Sequence, residues 1–577
     1  MKINEIAKAT GLSQKAIRLY ENKGLICVSR TESGYRNYSE EDVTILKTVK
    51  LLRSAGVSIS DIKLYFFGVL NIEDIMNRRK TEIEKESGIN SEKYRICEEI
   101  CANRNLENEA FNYFSSDKKP RERGKFAVGI DLGTTTISVI VYDLNRKRQI
   151  ESYTIPHDSR VRSDIFSEQS IEKIVRKAEK LLYHIIDYYE GIVGIGLSGQ
   201  MHGIVYINAA GEAVSELINW QDKRADQRIF AGKSACERIA LITGERIYTG
   251  YGLATHYYNL SVGLVPENVV KLCGAADYFG MKICGLKAPV IHISTAASFG
   301  LFDLKKNEFK KDKLLLLGIS EEILPDVTKE NFIIGKCRGI PVSVALGDNQ
   351  TSFLGAVKEN SDSLLINIGT GSQVSAVSDY REVSGETQIR PFIGDKYLIC
   401  GAALCGGYAY AMLEKFFRSY VVSSGMPEVS QYNTLNALAE KAYESGEIGL
   451  NVNVSFFGQR GAPDTKGAIK EIDGQNFTPG ALALGVLKGM CEELYELYEG
   501  FREKKTKITA SGGAVKKNKL LRKLLEEHFG MPVGLNAVDE DAAMGAALFS
   551  ALAAGIIGYD NGFSEYIKYE EENDNDK

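Results

Sequence analysis

Proline is scarce in this chain, with 11 residues in 577. So little proline argues against long unstructured stretches and predicts folded domains. The ten cysteines include no Cys-x-x-Cys pair, which removes the simplest chelating or redox spacing. Cys97 and Cys101 lie one helical turn apart, and Cys400 and Cys405 flank Gly-Ala-Ala-Leu. All ten therefore read as buried or incidental thiols of a reducing, cytoplasmic compartment. Long apolar runs are also missing. The first ten residues are polar and helix-patterned, without the apolar stretch of a secretory leader. The longest apolar run, Ala542 to Gly558, is rich in Ala and Gly and predicts a small-residue core helix. No membrane association is expected.

The composition that remains is that of a folded protein, 44% apolar and 25% charged. At roughly 150 residues per domain, the length suggests three or four domains. The net charge of -5 conceals an asymmetry. Residues 1–53 carry 10 Lys+Arg against 6 Asp+Glu, a net of +4, which leaves -9 for the rest. A basic start on an acidic body points to a nucleic-acid module joined to something else.

The patterning divides the chain into five regions. Residues 1–68 read as short helices separated by turns. Residues 69–124 are a charged helical connector that ends in the linker Ser115-Ser-Asp-Lys-Lys-Pro120. Residues 125–565 alternate strands and helices and split at 357/358. Each half opens with an apolar strand and a Gly-Thr turn, first in Phe126-Ala-Val-Gly-Ile-Asp-Leu-Gly-Thr-Thr135 and again in Leu364-Leu-Ile-Asn-Ile-Gly-Thr-Gly371. The repetition suggests a duplicated α/β unit facing one nucleotide. Residues 566–577 form an acidic tail.

In the first region, Ile3, Ile6 and Ala7 follow helical spacing, Thr10-Gly-Leu12 breaks it, and Ser13 can cap a second helix from Gln14 to Asn22. Helix, glycine turn and helix form a helix-turn-helix. Lys15 and Arg18 on the second helix suit phosphates and guanine edges in a major groove, with Ile17 and Leu19 nearer the core. Thr31 to Tyr38 reads as a wing, with Arg36 and Tyr38 reaching the DNA backbone. Three motifs then occur in order: Ile17-Arg-Leu-Tyr-Glu-Asn-Lys-Gly-Leu-Ile26, Gly34-Tyr-Arg-Asn-Tyr-Ser-Glu-Glu-Asp-Val43 and Gly56-Val-Ser-Ile-Ser-Asp-Ile62. Together they resemble the MerR-type winged-helix DNA-binding domain. The resemblance implies a homodimer on promoter DNA, with Lys15, Arg18, Tyr20, Arg36 and Tyr38 toward the DNA, and a long dimerising helix. Residues 70–101 partly fit that helix, although Ser87-Gly-Ile-Asn90 interrupts it and an intramolecular hairpin has the same spacing.

The long region holds groups suited to phosphates and polyols. In Asp131-Leu-Gly-Thr-Thr135, Gly133 lets the backbone approach a phosphate, Thr134 and Thr135 can donate to it, and Asp131 is placed to hold magnesium through water. Gly369 and Thr370 form the second such turn. Ile508-Thr-Ala-Ser-Gly-Gly513, followed by Asn518, runs from a strand through two glycines into a helix. Asp348 follows the apolar strand Pro341-Val-Ser-Val-Ala-Leu346, where it can act as a helix cap or as a base taking a hydroxyl proton. Gln200, Met201 and His202 lie among glycines, and Trp220, the only tryptophan, is followed by Gln221 and Asp222. Aromatic, amide and carboxylate groups of this kind suit a sugar.

In this order the motifs resemble the FGGY family of carbohydrate kinases over residues 125–555. The resemblance implies an actin-like (ribonuclease H-like) α/β fold in two lobes, preceded by the all-α winged helix-turn-helix. Residues 125–357 would hold sugar and phosphate, and 358–565 the nucleotide. It further implies ATP and Mg2+ as cofactors, Asp348 as catalytic base, and Gly512, Gly513 and Asn518 at the adenosine. Trp220-Gln-Asp222 and Gly250-Tyr-Gly-Leu-Ala-Thr255 look most like the sedoheptulokinase branch, so Thr255 joins the expected sugar contacts. Helix-turn-helix and sugar-kinase folds are also joined in ROK repressors, but their zinc-binding cysteine cluster has no counterpart here. Two functions stay open: an active ketose kinase carrying a regulator, and a regulator whose kinase-like part senses sugar without turnover.

Overall fold

A computed structural model describes residues 1–26, 28–30, 35–87, 92–102, 122–161, 166–381, 387–447, 449–458 and 464–570. The linker at 115–120, the wing turn at 31–34, the break at 88–90 and tail residues 571–577 lie outside them. Contacts divide the chain into two units. One comprises Met1–Arg123 with Glu179–Glu190 and Glu414–Tyr432; the other comprises Gly124–Ala178, Gly191–Leu413 and Asn433–Lys577.

In the first unit, helix Ile3–Thr10 stops at Gly11, whose φ of 64° lets its N–H reach back to Ala7 O. Ser13 caps helix Gln14–Asn22 by accepting from Ala16 N at 3.1 Å, and Ser39 and Asp42 close a reciprocal box at the start of helix Glu40–Ser54. Between them, strands Ser29–Arg30 and Arg36–Asn37 pair antiparallel. Ile6, Ile17, Leu46, Val49, Leu52 and Ile62 are buried. The expected outward face needs correction at several residues. Lys15 and Arg18 are exposed, but the rings of Tyr20 and Tyr38 are buried, because the first turns toward the core of its amphipathic helix and the second precedes the capped helix start. Arg36 is held by Glu21, with Nε 2.7 Å from Oε2. Leu19, expected inside, is exposed. Beyond helix Ile59–Phe66, the single long helix implied by the MerR resemblance is two helices, Ile72–Ser87 and Glu92–Ala102. They pack on each other with Met76, Ile83, Cys97 and Ile100 buried.

The second unit contains two principal sheets. The first has the order Ile333–Cys337, Ile340–Ser343, Tyr189–Gly199, Glu122–Leu132, Thr136–Asp143 and Arg148–Pro156, with Leu346–Gly347 also pairing with Tyr189–Gly199. The second has the order Gln388–Pro391, Tyr397–Ala403, Ser372–Ser378, Ser363–Ile368, Lys507–Ser511 and Val533–Leu535. The two Gly-Thr turns join antiparallel strands of these sheets, with Leu132 opposite Ile137 in one and Ile368 opposite Ser372 in the other. Apolar residues of both sheets, among them Ile140, Leu346, Leu365 and Leu398, share one buried cluster with Phe353, Met544, Leu548 and Phe549.

The last three of these lie on helix Asp541–Ala553, the predicted small-residue helix. It is buried along most of its length, and no described helix is long and apolar enough to cross a membrane. Its alanines and glycine permit backbone-on-backbone packing. A Cβ at Gly129 or Gly196 would stand 1.8 Å from Ala543 O or Ala546 O, and one at Gly545 would stand 1.9 Å from Thr351 O on helix Asp348–Ala356. Cys97, Cys101, Cys236, Cys273, Cys284, Cys405 and Cys491 are free thiols.

Gly196→Ala is expected to destabilise the protein by about 1–3 kcal/mol through overpacking. Gly558→Ala, which meets nothing within 4 Å, is the neutral control. Chemical denaturation of both variants checks this; equal midpoints would contradict the close approach.

Candidate active site

Asp131 stands one residue before the end of strand Glu122–Leu132. Its Oδ1 accepts from Ser198 Oγ at 2.7 Å, and that hydroxyl is also 2.7 Å from Thr351 Oγ1. Thr351 is in the first turn of helix Asp348–Ala356, where its hydroxyl lies 3.1 Å from both Gly347 O and Asp348 O. A pair of buried hydroxyls thus joins the strand carrying one carboxylate to the helix headed by the other. Both carboxyls keep a rim of exposed surface but are desolvated by the atoms around them. Burial pushes Asp131 up to about 7, with the charges of Asp348 and Glu540 adding to the effect and the Ser198 hydrogen bond opposing it. Burial raises Asp348 to about 6, opposed by the positive charge of Arg390 and the backbone N–H of Asn349.

The chemistry around Asp131 fits a divalent cation, since its ionisation is opposed by burial and by Glu540, which a cation would relieve. Among the described residues there is no group of three or more His, Cys, Asp or Glu arranged to hold a metal.

The turn after Asp131 is held from several sides. Gly133 N bonds Thr136 O at 3.0 Å. Trp220 Nε1 donates to Thr134 Oγ1 at 2.9 Å, and Gln169 Nε2 donates to Thr134 O at 2.5 Å. Gln200 donates to Gln169 Oε1 at 2.8 Å, and its backbone N–H donates to Leu132 O at 2.9 Å. His157 Nε2 lies 3.3 Å from Gly133 O. Thr135 is exposed at the turn. The expected phosphate turn and the expected sugar segment are therefore contiguous.

His202 takes a left-handed backbone, φ 74°, which is strained for a residue with a Cβ. Its N–H donates to Ser298 Oγ at 3.1 Å, Nδ1 is 2.7 Å from Ser298 O, and its ring stacks on Tyr251 at 4.4 Å. The neighbouring Met201 Sδ lies 3.4 Å from Arg390 Nη1. Trp220 is 41% exposed, leaving ring surface open, and Gln221 is exposed. Asp222 is different: it is buried, with Arg224 Nε at 2.8 Å and Ser167 N at 2.8 Å. Arg224 also binds Glu168 at 2.6 Å and Asn259 at 2.9 Å. Asp222 thus serves as the centre of an internal ion network, and the expectation that it faces the sugar is corrected. Thr255 is buried on helix Gly252–Val262, where its N–H donates to Tyr251 O at 2.9 Å.

In the second sheet, Gly369 and Thr370 are exposed, and their carbonyls accept from Gly407 N at 2.9 Å and Tyr408 N at 3.1 Å. Gly512, at φ 95°, lies against this turn, where a Cβ would be 2.5 Å from Ile368 O; Gly513 beside it faces open space. The second phosphate turn and the Gly-Gly turn are therefore neighbours. Asn518 is corrected. Its Oδ1 caps helix Lys519–Phe529 by accepting from Leu521 N at 2.9 Å, while Nδ2 reaches Asn436 at 3.2 Å, so the amide is already committed.

Sequence reasoning missed His157, Gln169, Arg224, Tyr251, Glu540 and Arg390. His157 directly follows strand Arg148–Pro156, Tyr251 lies inside the quoted Gly250 to Thr255 segment, and the others sit in stretches whose pattern is ordinary.

Residues 126–359 and 364–554 match the N-terminal and C-terminal domains of the FGGY family of carbohydrate kinases, and residues 1–66 match the MerR HTH family regulatory protein. The sedoheptulokinase of Mus musculus is 25% identical over 473 residues, covering 73% of this chain and 96% of that one. The xylulose kinase of Bacillus subtilis is 24% identical over 472 residues, covering 75% and 89%. Among solved structures, a ligand-bound xylulose kinase from Lactobacillus acidophilus superposes with a TM-score of 0.67 at 18% identity, covering 78% of this chain and 93% of that one. Plasmodium falciparum glycerol kinase with ADP gives 0.64 at 16%, covering 76% and 92%. With two carboxylates at the expected strand ends, two Gly-Thr turns and the superposed fold, this chain belongs to the FGGY family of carbohydrate kinases and carries a MerR-type helix-turn-helix at its N-terminus.

Proposed function

We propose that the protein transfers the γ-phosphoryl group of ATP to a primary hydroxyl of a ketose, with sedoheptulose first among the candidates, and that its N-terminal module binds promoter DNA. The observation that carries the first part is the pair of desolvated carboxylates, Asp131 and Asp348, on elements tied through Ser198 and Thr351. Phosphoryl transfer asks the protein for positioning and charge stabilisation more than for covalent chemistry. Asp348 accepts the proton of the attacking hydroxyl, whose oxygen bonds to the γ-phosphorus as ADP leaves. A carboxylate raised to about 6 is ionised at neutral pH yet basic enough for this task. Asp131, with Glu540 nearby, would hold Mg2+ through water, and the bound ion would neutralise charge on the phosphates. Gly133, Thr134, Thr135, Gly369, Thr370, Gly512 and Gly513 supply backbone and hydroxyl donors for the nucleotide. Gln200, Met201, His202 and the open face of Trp220 receive the sugar.

The sugar assignment rests on the sedoheptulokinase relatives and the Trp-Gln-Asp segment. A panel of ketoses and polyols with ATP, read by ADP release, tests it. Turnover is expected on sedoheptulose; turnover on none would leave a sugar-binding regulator. Asp348→Asn should lower kcat roughly 10²–10⁴-fold while sugar binding persists, and unchanged turnover would sink the base assignment. The wild-type kcat/KM should rise with pH through an acid limb near 6, because protonated Asp348 cannot accept the hydroxyl proton.

DNA binding is supported by the MerR match and by exposed Lys15 and Arg18 on helix Gln14–Asn22. Arg18→Ala should weaken binding at all salt concentrations and flatten the salt slope by about one. An unaltered gel shift would count against this helix as the DNA-reading element.

A further inference from the structure

Arg390, in strand Gln388–Pro391 at the edge of the second sheet, is 8% exposed and was not marked by any motif. Its guanidinium reaches three groups. Nη1 donates to Asn349 Oδ1 and lies 3.4 Å from Met201 Sδ; Nη2 donates to Gln388 Oε1 at 3.0 Å. Asn349 in turn donates from Nδ2 to Asp348 Oδ1 at 3.0 Å. The same strand is pinned to the same helix a second time, by Gln350 Nε2 on Pro391 O at 2.9 Å.

The order of donors in this chain is chemically forced. A guanidinium has five N–H groups and no acceptor, so whatever it bonds must present an oxygen or sulfur. An asparagine carboxamide has one oxygen and one NH2. With the oxygen turned to Arg390, the NH2 must face the other way, toward Asp348. Without the arginine, the amide can rotate and present its oxygen to the carboxylate, an acceptor against an acceptor. The full positive charge nearby also favours the ionised carboxylate, the form that can accept a proton.

We propose that Arg390 is a positioning residue for the acceptor-activating base: it fixes the Asn349 carboxamide so that its NH2 donates to Asp348, and it ties that turn to Met201 of the sugar segment. The proposal rests on Asp348 being the base, as proposed above, and adds a residue acting through another. Of the charged groups around this pair, Arg390 from the second sheet favours ionised Asp348, and the Asp348 charge in turn raises Asp131 on the first sheet.

The test compares wild type, Arg390→Met and Arg390→Lys in the full-length chain with ATP and the sugar that the panel identifies. Arg390→Met should lower kcat on the order of tenfold to a hundredfold, the scale of a lost hydrogen-bond arrangement at a charged group, with sugar KM changed less than threefold. Its acid limb should move up by about one pH unit or more, since an opposite charge beside Asp348 has been removed. Activity would then be lost most at pH 6 and least at pH 8. Arg390→Lys keeps the charge but not the fixed fork, so its acid limb should stay near that of wild type while kcat recovers only in part. Carboxyl-labelled aspartate NMR, with the Asp348 resonance assigned by difference from Asp348→Asn, gives a readout independent of turnover. Its midpoint should rise in Arg390→Met. An unmoved midpoint and acid limb in Arg390→Met, including a loss of activity accompanied only by lower thermal stability, overturns the proposal. A shifted midpoint in a protein that phosphorylates no sugar keeps the positioning role and overturns the kinase reading instead.

Discussion

The spacing of the two acidic elements depends on one steric constraint, the contact of helix Asp541–Ala553 with its neighbours at backbone distance. Gly129 and Gly196 of the first sheet leave no room for a Cβ against Ala543 and Ala546, and Gly545 leaves none against Thr351. Helix Asp348–Ala356 is thereby seated by its own backbone, and the carboxylate at its first residue inherits that precision. Thr351, against which Gly545 rests, is also the residue whose hydroxyl meets Ser198 beside Asp131. A packing contact and a polar contact converge on one side chain, so the spacing of the two acidic elements is set by groups that cannot shift without clashing. Close-packed interiors transmit position in this way because they have little free volume to absorb a displacement.

Around that frame, several buried polar groups have defined partners. Asp541, at the start of the same helix, accepts from Ser511 and Asn536, which lie at the ends of strands of the second sheet or next to them. Asp222 gathers Arg224, and through it Glu168 and Asn259. The residues that remain exposed at the turns, Thr135, Gly369, Thr370 and the ring of Trp220, are those whose chemistry suits phosphate or sugar. Open polar surface is left at the turns, as a binding site on a rigid scaffold requires.

Several expectations read along the chain met this arrangement unevenly. Asp131, Gly133, Thr134, Gln200 and Asp348 lay in motifs singled out along the chain, and hydrogen bonds join the segments that carry them. Asp222 and Asn518 were misread because an acid after a tryptophan and an amide after two glycines look like ligand contacts, while both are spent on internal partners. Tyr20 and Tyr38 were misread because an aromatic next to basic residues suggests a nucleic-acid face, while helical phase turns Tyr20 inward and Tyr38 is buried just before the capped start of the next helix. Arg390 and Gln169 gave no signal, since their importance lies in what they touch across more than thirty residues of chain.

Local chemistry by itself determined the α/β alternation, the two Gly-Thr turns, the helix-turn-helix with its serine caps and the two carboxylates at strand ends. Those features are encoded in short windows, where periodicity, capping residues and glycine placement act directly on the backbone. Tertiary structure alone decided which polar groups face a ligand and which face each other, how the helix after Asp348 is held, and which arginine orients the amide beside it. A side chain's partner is a property of distance in space, and distant segments become neighbours only when the sheets and the glycine-lined helix have packed.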